Sequence, residues 1–348
     1  MSAPAVSGAA VPELRLGTRR SALAMAQSQW VADRIEAAAA AAGQPVTVRL
    51  VEITTDGDVS TAPLSSFGGV GVFVSRLREA LLSGAVDIAV HSLKDLPTAP
   101  AQGLVLAGVP AREDPRDVLV ARDGLTVSEL PAGSLVGTGS PRRAAQLRAL
   151  GLGLEVVDIR GNVDSRLKLV GTEVDAVVLA LAGLLRLGRQ DEATQLLDPL
   201  LMLPAPGQGA LALECRDPAG SPDPVHALVF ACLNRLDDPA TRAAVTAERA
   251  LLAALEAGCA APLGALAEVV EGDEGEELSL RAVVASVDGL VSLRRSGVGR
   301  VEAAAELGRS VAAELLADGA AELVPNRSTA PPSEHPAGTD RTGESGES

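Results

Sequence analysis

The feature of this sequence that most limits its fold is an alternation of short apolar runs with longer amphipathic runs. In the first round, strand-like runs lie at 14–18, 46–54 and 87–93, with helix-like runs at 21–43 and 73–84 between them. Strands that alternate with helices predict parallel pairing and right-handed crossovers, because each connecting helix must pack back onto the sheet. Gly43 follows the last apolar position of the first helix, so we expect it to cap that helix.

The alternation then occurs a second time. Strand-like runs lie at 134–138, 154–160 and 175–181, with helix-like runs at 141–151 and 162–171. This repeat predicts two α/β lobes. Beyond about residue 232 the pattern changes to a helix at 239–257, strands at 278–289 and 290–297 and a helix at 301–318, which predicts a small α+β domain.

Chain length supports a division into several units. A chain of 348 residues is too long for one compact core. Its two ends are rich in Pro, Ser, Gly, Ala and Glu without periodicity, and we expect them to be disordered. The predicted divisions are a disordered N-terminus 1–12, a first lobe of 13–110 plus 207–230, a second lobe 111–206, a C-terminal domain 231–328 and a disordered tail 329–348.

Composition argues against several classes of partner. A net charge of −15 disfavours nucleic acid and anionic membranes, and aromatic residues, at 1% of the chain, are too few for base stacking. A membrane span needs about 18 consecutive apolar residues, and no apolar run in this sequence is that long. The first twelve residues lack a secretory signal pattern. The cysteines and histidines have no spacing typical of a metal site or a disulfide framework. We therefore expect a cytoplasmic protein without metal that binds a small molecule.

In this acidic chain, positive charge collects where predicted strands end. Basic residues follow four strand-like runs, namely Arg19 and Arg20, Lys94, Arg142 and Arg143, and Arg160 and Arg166. The carboxyl ends of strands in open α/β sheets line the binding crevice, and the helix starts beside them attract anions. Arginine suits carboxylates because its planar fork can donate two parallel hydrogen bonds. The alternative is that each arginine pairs with an acidic surface neighbour and binds nothing else.

Two further residues have both a structural and a chemical interpretation. Asp95 follows Lys94 at a strand end, where it could cap a helix or could hold an N–H-bearing ring and transfer protons. Cys259 lies in a turn after the long helix, with no histidine near it in sequence. From the residues alone, Cys259 is more typical of a small buried side chain than of a nucleophile.

Seven short motifs, in this order, resemble the porphobilinogen deaminase family, also called hydroxymethylbilane synthases. They are HSLKDLP, REDPRDVLV, VGTGSPRRAAQL, IRGNVDSRL, LAGLLRLG, LPAPGQGALALEC and TAERALLAALEAGCAAPLG. The resemblance spans roughly residues 13 to 325. It implies two lobes like those of periplasmic binding proteins with a cleft between them, followed by a small α+β domain. It also implies stepwise deaminating condensation of four porphobilinogen molecules onto a covalent dipyrromethane, followed by hydrolytic release of linear hydroxymethylbilane in tetrapyrrole biosynthesis.

The resemblance also implies roles for individual residues. Cys259 corresponds to the cysteine that holds the dipyrromethane cofactor through a thioether, and Asp95 to the catalytic aspartate. The positions that match cofactor-binding residues are Lys94, Ser140, Arg142, Arg143 and Arg160. The positions that match substrate-binding residues are Arg19, Ser21, Thr138, Arg166, Arg186 and Gln208. A monomer that takes porphobilinogen as its small-molecule substrate is implied on the same grounds.

The chain departs from the family pattern at a few positions. Ser66, Val70 and Ser75 stand around a glycine-rich loop where many relatives have lysines, which puts the electrostatic role of that loop in doubt. Gly139 stands where serine is frequent, and Ala257 replaces the first glycine before the cysteine. We expect activity to survive these changes. Two other functions stay open on the residues alone, namely a non-enzymatic anion receptor and a cysteine hydrolase, although the second has no base placed to serve it.

Overall fold

The computed structural model describes residues 11–53, 72–257, 261–272 and 275–324. Within these ranges the chain forms two five-stranded mixed sheets and one three-stranded antiparallel sheet, all packed against helices. The α/β class and the C-terminal α+β unit are therefore confirmed. The predicted disordered ends, 1–12 and 329–348, lie outside the described residues except for 11 and 12.

The first lobe is the sheet with strand order β2-β1-β3-β10-β4 and the helices around it. Its elements are β1 (Glu13–Thr18), α1 (Ala22–Ala41), β2 (Thr47–Glu52), α2 (Val72–Leu82), β3 (Ile88–Ser92), β4 (Leu104–Gly108), β10 (Leu211–Arg216) and α6 (Pro224–Asn234). Strand β1 is parallel to β2 and β3, which confirms the predicted parallel pairing. Strand β10 returns to this sheet and lies antiparallel between β3 and β4.

Helix α1 shows how local residues set an element's ends. It begins after Ser21, whose hydroxyl accepts a hydrogen bond from a first-turn backbone N–H. It ends before Gly43, which has a φ of 71°. In that left-handed conformation the N–H groups of Gly43 and Gln44 reach the carbonyls of Ala40 and Ala39. Glycine adopts this conformation without the steric cost that a Cβ brings, so the predicted cap is confirmed.

The second lobe is the sheet with strand order β7-β6-β8-β5-β9 and its helices. Its elements are β5 (Asp117–Ala121), β6 (Leu135–Gly137), α3 (Pro141–Ala149), β7 (Glu155–Val157), α4 (Val163–Leu167), β8 (Ala176–Ala180), α5 (Leu181–Arg186) and β9 (Gln195–Leu196). Strand β6 is parallel to β7 and β8, as predicted. Strand β5 is antiparallel to both β8 and β9, so its amino end lies at the same edge as the carboxyl end of β8.

The third domain places two helices on one face of a three-stranded antiparallel sheet. Its elements are α7 (Pro239–Ala254), β11 (Leu263–Gly272), β12 (Gly275–Ala285), β13 (Ser292–Arg300), α8 (Ala304–Ala317) and the short α9 (Ala320–Leu323). Its core consists of small and branched side chains, including Ala247, Leu251, Leu280 and Leu315, all fully buried. Within the described ranges, none of the helices has both the length and the apolar character that crossing a bilayer requires.

Glu248 on α7 ties the third domain to the connections between the lobes. Its side chain is 0% exposed and accepts hydrogen bonds from the Arg112 guanidinium at 2.7 and 3.1 Å. It also accepts from the backbone N–H of Gly207 at 2.6 Å and of Ala267 at 2.8 Å. One buried carboxylate therefore binds the segment between β4 and β5 at Arg112, the loop before β10 at Gly207, and β11 at Ala267.

We expect Glu248→Ala to lower the free energy of unfolding by about 3–5 kcal/mol, because it leaves a buried guanidinium and two buried N–H groups without their acceptor. Urea unfolding followed by circular dichroism measures the loss. The matched control is Glu268→Ala, since Glu268 pairs with Arg281 at the surface. That pair should contribute less than about 1 kcal/mol. Equal losses in the two variants would contradict the role given to Glu248.

Candidate active site

Lys94 and Asp95 lie where the central strand of the first lobe ends. Strand β3 stops at Ser92, and Leu93–Asp95 form a single 3-10 turn. Leu93 fixes this turn to the sheet, because its side chain is buried and its N–H donates to the carbonyl of Ala210 at 3.0 Å. Asp95 is exposed. The fold thus presents this carboxylate to a ligand at the sheet edge where the predicted crevice lies.

The Lys94 side chain contacts the loop that carries Gln208. Its ammonium group donates to Oε1 of Gln208 at 3.4 Å. Burial lowers the pKa of Lys94 to about 8, with Asp95 and Asp117 opposing the shift and Arg143 and Arg142 adding to it. The ammonium is therefore charged at neutral pH and loses its proton as the pH rises through about 8.

The first turn of α3 carries the predicted anion-binding residues of the second lobe. Ser140 is the N-cap, and its hydroxyl accepts a hydrogen bond from the N–H of Arg143 at 3.4 Å. The buried Thr138 hydroxyl accepts from the N–H of Ser140 at 3.2 Å. Gly139 stands between them because a Cβ at this position would lie 2.7 Å from the carbonyl oxygen of Ile159. The departure from the family pattern at Gly139 thus accompanies a close backbone approach.

Arg142 and Arg143 are buried and share one carboxylate. Asp117, the first residue of β5, is 0% exposed, whereas the two arginines are 4% and 5% exposed. Arg143 donates to Asp117 Oδ1 from Nε at 3.1 Å and from Nη2 at 2.7 Å. Arg142 Nη1 lies 2.8 Å from Asp117 Oδ2. Burial alone would raise the pKa of the Asp117 carboxyl, but the two arginines more than offset it and hold that pKa well below its ordinary value.

Gln208 connects this pair of arginines to the first lobe. Its Nε2 donates to Asp117 Oδ1 at 2.8 Å and to the carbonyl of Pro115 at 2.7 Å, while its Oε1 accepts from Lys94. Residues from three separate parts of the chain therefore converge around one carboxylate. We refer to Asp117, Arg142, Arg143, Gln208 and Lys94 as the Asp117 cluster.

Sequence reasoning missed Asp117 as a functional candidate. The signal that could have found it is an acid at the head of an otherwise apolar run, DVLVA at 117–121, all of which is buried. An acid in such a position needs a buried partner, because an unpaired buried charge is costly. The sequence does not identify that partner, since Arg143 lies 26 positions further along the chain.

Gln146, one turn further along α3, holds the loop that carries Gln208. Its amide oxygen accepts from the N–H of Leu203 at 2.9 Å, and its amide nitrogen donates to the carbonyl of Leu203 at 3.0 Å. The same carbonyl accepts from Arg142 Nη1 at 2.5 Å. The helix that carries the two arginines and the loop that carries Gln208 are thus joined by a two-way amide contact.

Two more of the predicted arginines extend the positive charge over the second lobe. Arg166 is half-buried, and its Nε donates to the carbonyl of Gly161 at 2.9 Å. Burial, with help from Arg143 and Arg160, lowers the pKa of Arg166 to about 10. Arg160 is exposed and pairs with Asp158 at 2.9 Å. Both Arg143 and Arg160 thus contribute positive charge around Arg166.

The remaining predicted substrate-binding residues lie on other elements. Arg186, at the end of α5, donates to the carbonyl of Gly209 at 2.6 Å, and burial lowers its pKa. Arg19 follows β1 and is half-buried, and Ser21 caps α1. Because β1 is the parallel neighbour of β3, both residues lie at the sheet edge that carries Asp95. The structure thus places substrate-binding candidates at the strand ends of both lobes.

Two of the sequence predictions fall outside the described residues. One is Cys259 with its immediate neighbours, and the other is the glycine-rich loop with Ser66 and Val70. Of the residues that flank the cysteine, Ala257 and Ala261 are buried. The N–H of Ala265, just beyond, donates to the carbonyl of Pro204 at 2.9 Å. The described chain that follows Cys259 in sequence therefore contacts the loop leading to Gln208.

The two cysteines within the described residues are poor nucleophile candidates. Cys215 and Cys232 are both buried free thiols. Burial raises the pKa of Cys215 to about 12 and raises that of Cys232 as well. A thiol attacks as its thiolate, so neither is suited to covalent chemistry near neutral pH.

Comparison with known proteins covers nearly all of the folded chain. Residues 14–221 match the family described as "Porphobilinogen deaminase, dipyromethane cofactor binding domain", and residues 242–317 match "Porphobilinogen deaminase, C-terminal domain". The chain is 58% identical over 317 residues to the porphobilinogen deaminase of Nocardia farcinica, covering 89% of this chain and 88% of the relative. It is 57% identical to that of Mycobacterium tuberculosis H37Rv, covering 89% of this chain and 98% of the relative.

Solved structures of other proteins show weaker likeness. The VFT2 domain of Bordetella pertussis BvgS aligns with a TM-score of 0.39 and 15% identity, over 65% of this chain and 86% of that one. A TRAP periplasmic solute binding protein of Shewanella oneidensis with bound succinate aligns with a TM-score of 0.39 and 13% identity, over 65% and 79%. At these scores the alignments carry no argument about the ligand.

Proposed function

This chain belongs to the porphobilinogen deaminase family, and from that premise we propose which of its residues carry each part of the reaction. The chain is an enzyme, a hydroxymethylbilane synthase. This transferase of tetrapyrrole biosynthesis takes porphobilinogen as its substrate and has a dipyrromethane cofactor. The proposal concerns the residues that hold the cofactor, bind the substrate and move the proton, together with the stepwise addition of four porphobilinogen units before hydrolytic release.

The observation that carries the proposal is the excess of positive charge in the Asp117 cluster. Two buried guanidinium groups face the Asp117 carboxylate there, and the Lys94 ammonium is influenced by Asp95 and Asp117, so cations outnumber carboxylates in a protein whose net charge is −15. Among the described residues, none is a hydrogen-bond partner of the buried Nε of Arg142. Buried cations in excess call for an anionic ligand, and a group that bears several carboxylates fits them. Lys94, Ser140, Arg142, Arg143 and Arg160 would hold the cofactor's carboxylates.

We assign the covalent anchor to Cys259. A thioether is stable to hydrolysis, so the thiol acts once and needs no catalytic histidine beside it. When bound through this sulfur, the dipyrromethane supplies the pyrrole carbon onto which the first substrate is joined. The raised pKa values of Cys215 and Cys232 support the choice of Cys259 over the other two cysteines.

Asp95 is assigned the catalytic role. Its exposed carboxylate accepts a hydrogen bond from a pyrrole N–H and balances the positive charge that develops on the substrate as ammonia leaves. The same oxygen atoms can take up the proton that the coupling releases. Leu93, buried beneath the turn, fixes the position of the carboxylate, and Lys94 supplies a cation beside it.

The substrate's acetate and propionate require cations at a second place. We propose that Arg19, Arg166 and Arg186 bind them, since these side chains lie at strand or helix ends of both lobes. Ser21, Thr138 and Gln208 act through the contacts already described. Ser21 caps α1, Thr138 supports Ser140, and Gln208 joins Lys94 to Asp117.

The organisation of the chain is proposed on the same basis. The divisions at 110, 206 and 230 are supported by the return of β10 to the first sheet and by the separate sheets on either side. The chain leaves the first lobe near 110 and comes back through the loop at 203–210. We also propose a cytoplasmic monomer. The free thiols of Cys215 and Cys232 are consistent with a reducing compartment.

The test is the intact mass of the purified protein after brief incubation with limiting porphobilinogen. We expect the mass to rise in discrete steps of one pyrrole unit and to return to its starting value as product is released. Arg143→Leu should arrest this series or leave the protein without cofactor, because it removes a buried cation. Arg122→Leu, which removes a more exposed cation paired with Asp175, should leave the series intact. An unchanged wild-type mass with no release of ammonia would indicate an anion receptor and overturn the proposal.

A further inference from the structure

Asp117 is the only carboxylate that the described contacts place in direct hydrogen-bond or ion-pair contact with Arg142 and Arg143. It accepts from Arg143 and Gln208 through Oδ1 and faces Arg142 through Oδ2. Its three partners lie on α3 and on the loop that returns from the second lobe to the first. Through Gln208 the contacts continue to Lys94 in the first lobe.

Burial of this carboxylate has to be explained by something other than stability. A buried ion pair often contributes no more to stability than well-packed apolar residues of the same volume. Here one carboxylate is shared by two arginines, so the cluster keeps a net positive charge. Asp117 uses three N–H groups of its neighbours, namely Nε and Nη2 of Arg143 and one amide hydrogen of Gln208. The buried Nε of Arg142 has no hydrogen-bond partner in the part of the chain that the structure describes.

We propose that Asp117 is a positioning residue for the reaction. It fixes the orientation of Arg142 and Arg143, so that their remaining donors face the carboxylates of the bound pyrrole chain, and through Gln208 it sets the place and charge of Lys94. The proposal rests on the proposed function, since it assumes that these cations bind those carboxylates. Asp117 itself touches no ligand in this scheme and acts through its three partners.

The charge of Asp117 also has a measurable effect on Lys94. The charged groups that act on the Lys94 ammonium are Asp95 and Asp117, which favour its protonated form, and Arg142 and Arg143, which disfavour it. Removal of the Asp117 charge takes away one of the two favourable groups. The pKa of Lys94, about 8 in the wild type, then falls below that value. Binding that needs charged Lys94 is lost at a lower pH than in the wild type.

The experiment compares Asp117→Asn with the wild type by kcat/KM as a function of pH. We expect kcat/KM to fall about 100-fold at neutral pH, the loss typical of misplaced substrate-binding groups. We also expect the alkaline limb of the profile to move to lower pH. The matched control is Asp175→Asn, since Asp175 pairs with Arg122 in the same lobe but outside the Asp117 cluster. The control should leave both quantities unchanged.

Asp117→Glu separates geometry from charge and keeps the test open if the asparagine variant does not fold. Glutamate retains the charge but is longer by one methylene, so we expect lower turnover with the alkaline limb where it is in the wild type. The proposal would be overturned if either variant folds and then shows the kcat/KM of the wild type together with an alkaline limb at the wild-type pH. That result, together with a stepwise mass increase in the wild type, would leave the proposed function standing. A wild type that shows no mass increase would instead remove the premise.

Discussion

We expect Cys259→Ser to give a protein without covalent dipyrrole and without measurable turnover. A serine hydroxyl is a far weaker nucleophile than a thiolate at neutral pH, so the anchoring bond does not form. In the proposed mechanism every later step depends on that bond, because a pyrrole chain that is not tethered would leave between additions. Intact mass of the purified variant measures the loss directly, and Ehrlich's reagent, which colours the wild type, should leave the variant uncoloured.

The other two cysteines provide matched controls for this result. Cys215→Ser and Cys232→Ser each replace a buried thiol whose raised pKa makes it unreactive. Each control should keep the adduct of the wild type, whatever it loses in stability. An adduct that persists in Cys259→Ser, or one that disappears in either control alone, would show that the anchor has been assigned to the wrong residue.

Asp95→Ala should bind porphobilinogen but release ammonia about 100- to 10,000-fold more slowly than the wild type. The substitution removes the exposed carboxylate at the end of β3 and leaves the arginines of both lobes in place. Because we assign substrate binding to those arginines, we expect kcat to fall much more than affinity. Asp95→Glu keeps the charge in a displaced position and should retain a trace of activity.

Single-turnover ammonia release, measured beside equilibrium binding of porphobilinogen, separates these two effects. The control is Asp33→Ala, which removes an exposed acid from α1, about three helical turns from the end of the helix that Ser21 caps. It should leave ammonia release at the wild-type rate. Normal release by Asp95→Ala would show that another group takes the proton, and loss of binding without loss of kcat would make Asp95 a binding residue instead.

The sequence predicts the strands that alternate with helices in each sheet and the return of residues 207–230 to the first lobe, but it misses β4, β5 and β9. Strands β1, β2 and β3 are joined by helices, and the alternation itself indicates them. Strands β4 and β5 follow one another without a helix between them, so no switch from strand-like to helix-like periodicity marks where they begin and end. Pairing of β5 with β8 is non-local, and short-range pattern cannot specify it.

The site shows the same division between local and non-local information. The placement of Arg142 and Arg143 at a strand end follows from the βα pattern and is confirmed by the position of α3. Their burial against Asp117 is not predictable in the same way, because the acid belongs to the strand that enters the sheet antiparallel. The role of Cys259 comes from family resemblance rather than from its neighbours in sequence, and it stays a prediction.

The two-way amide contact between Gln146 and Leu203 restricts how the enzyme can make room for a longer product. Arg142 also donates to the Leu203 carbonyl, so three hydrogen bonds join α3 to the loop at 203–208, and we expect the helix and the loop to move together. Added pyrrole rings therefore cannot be accommodated by prising that helix from that loop. If Arg142 holds the cofactor as proposed, we expect space for each new ring to come from other parts of the site, away from this joint.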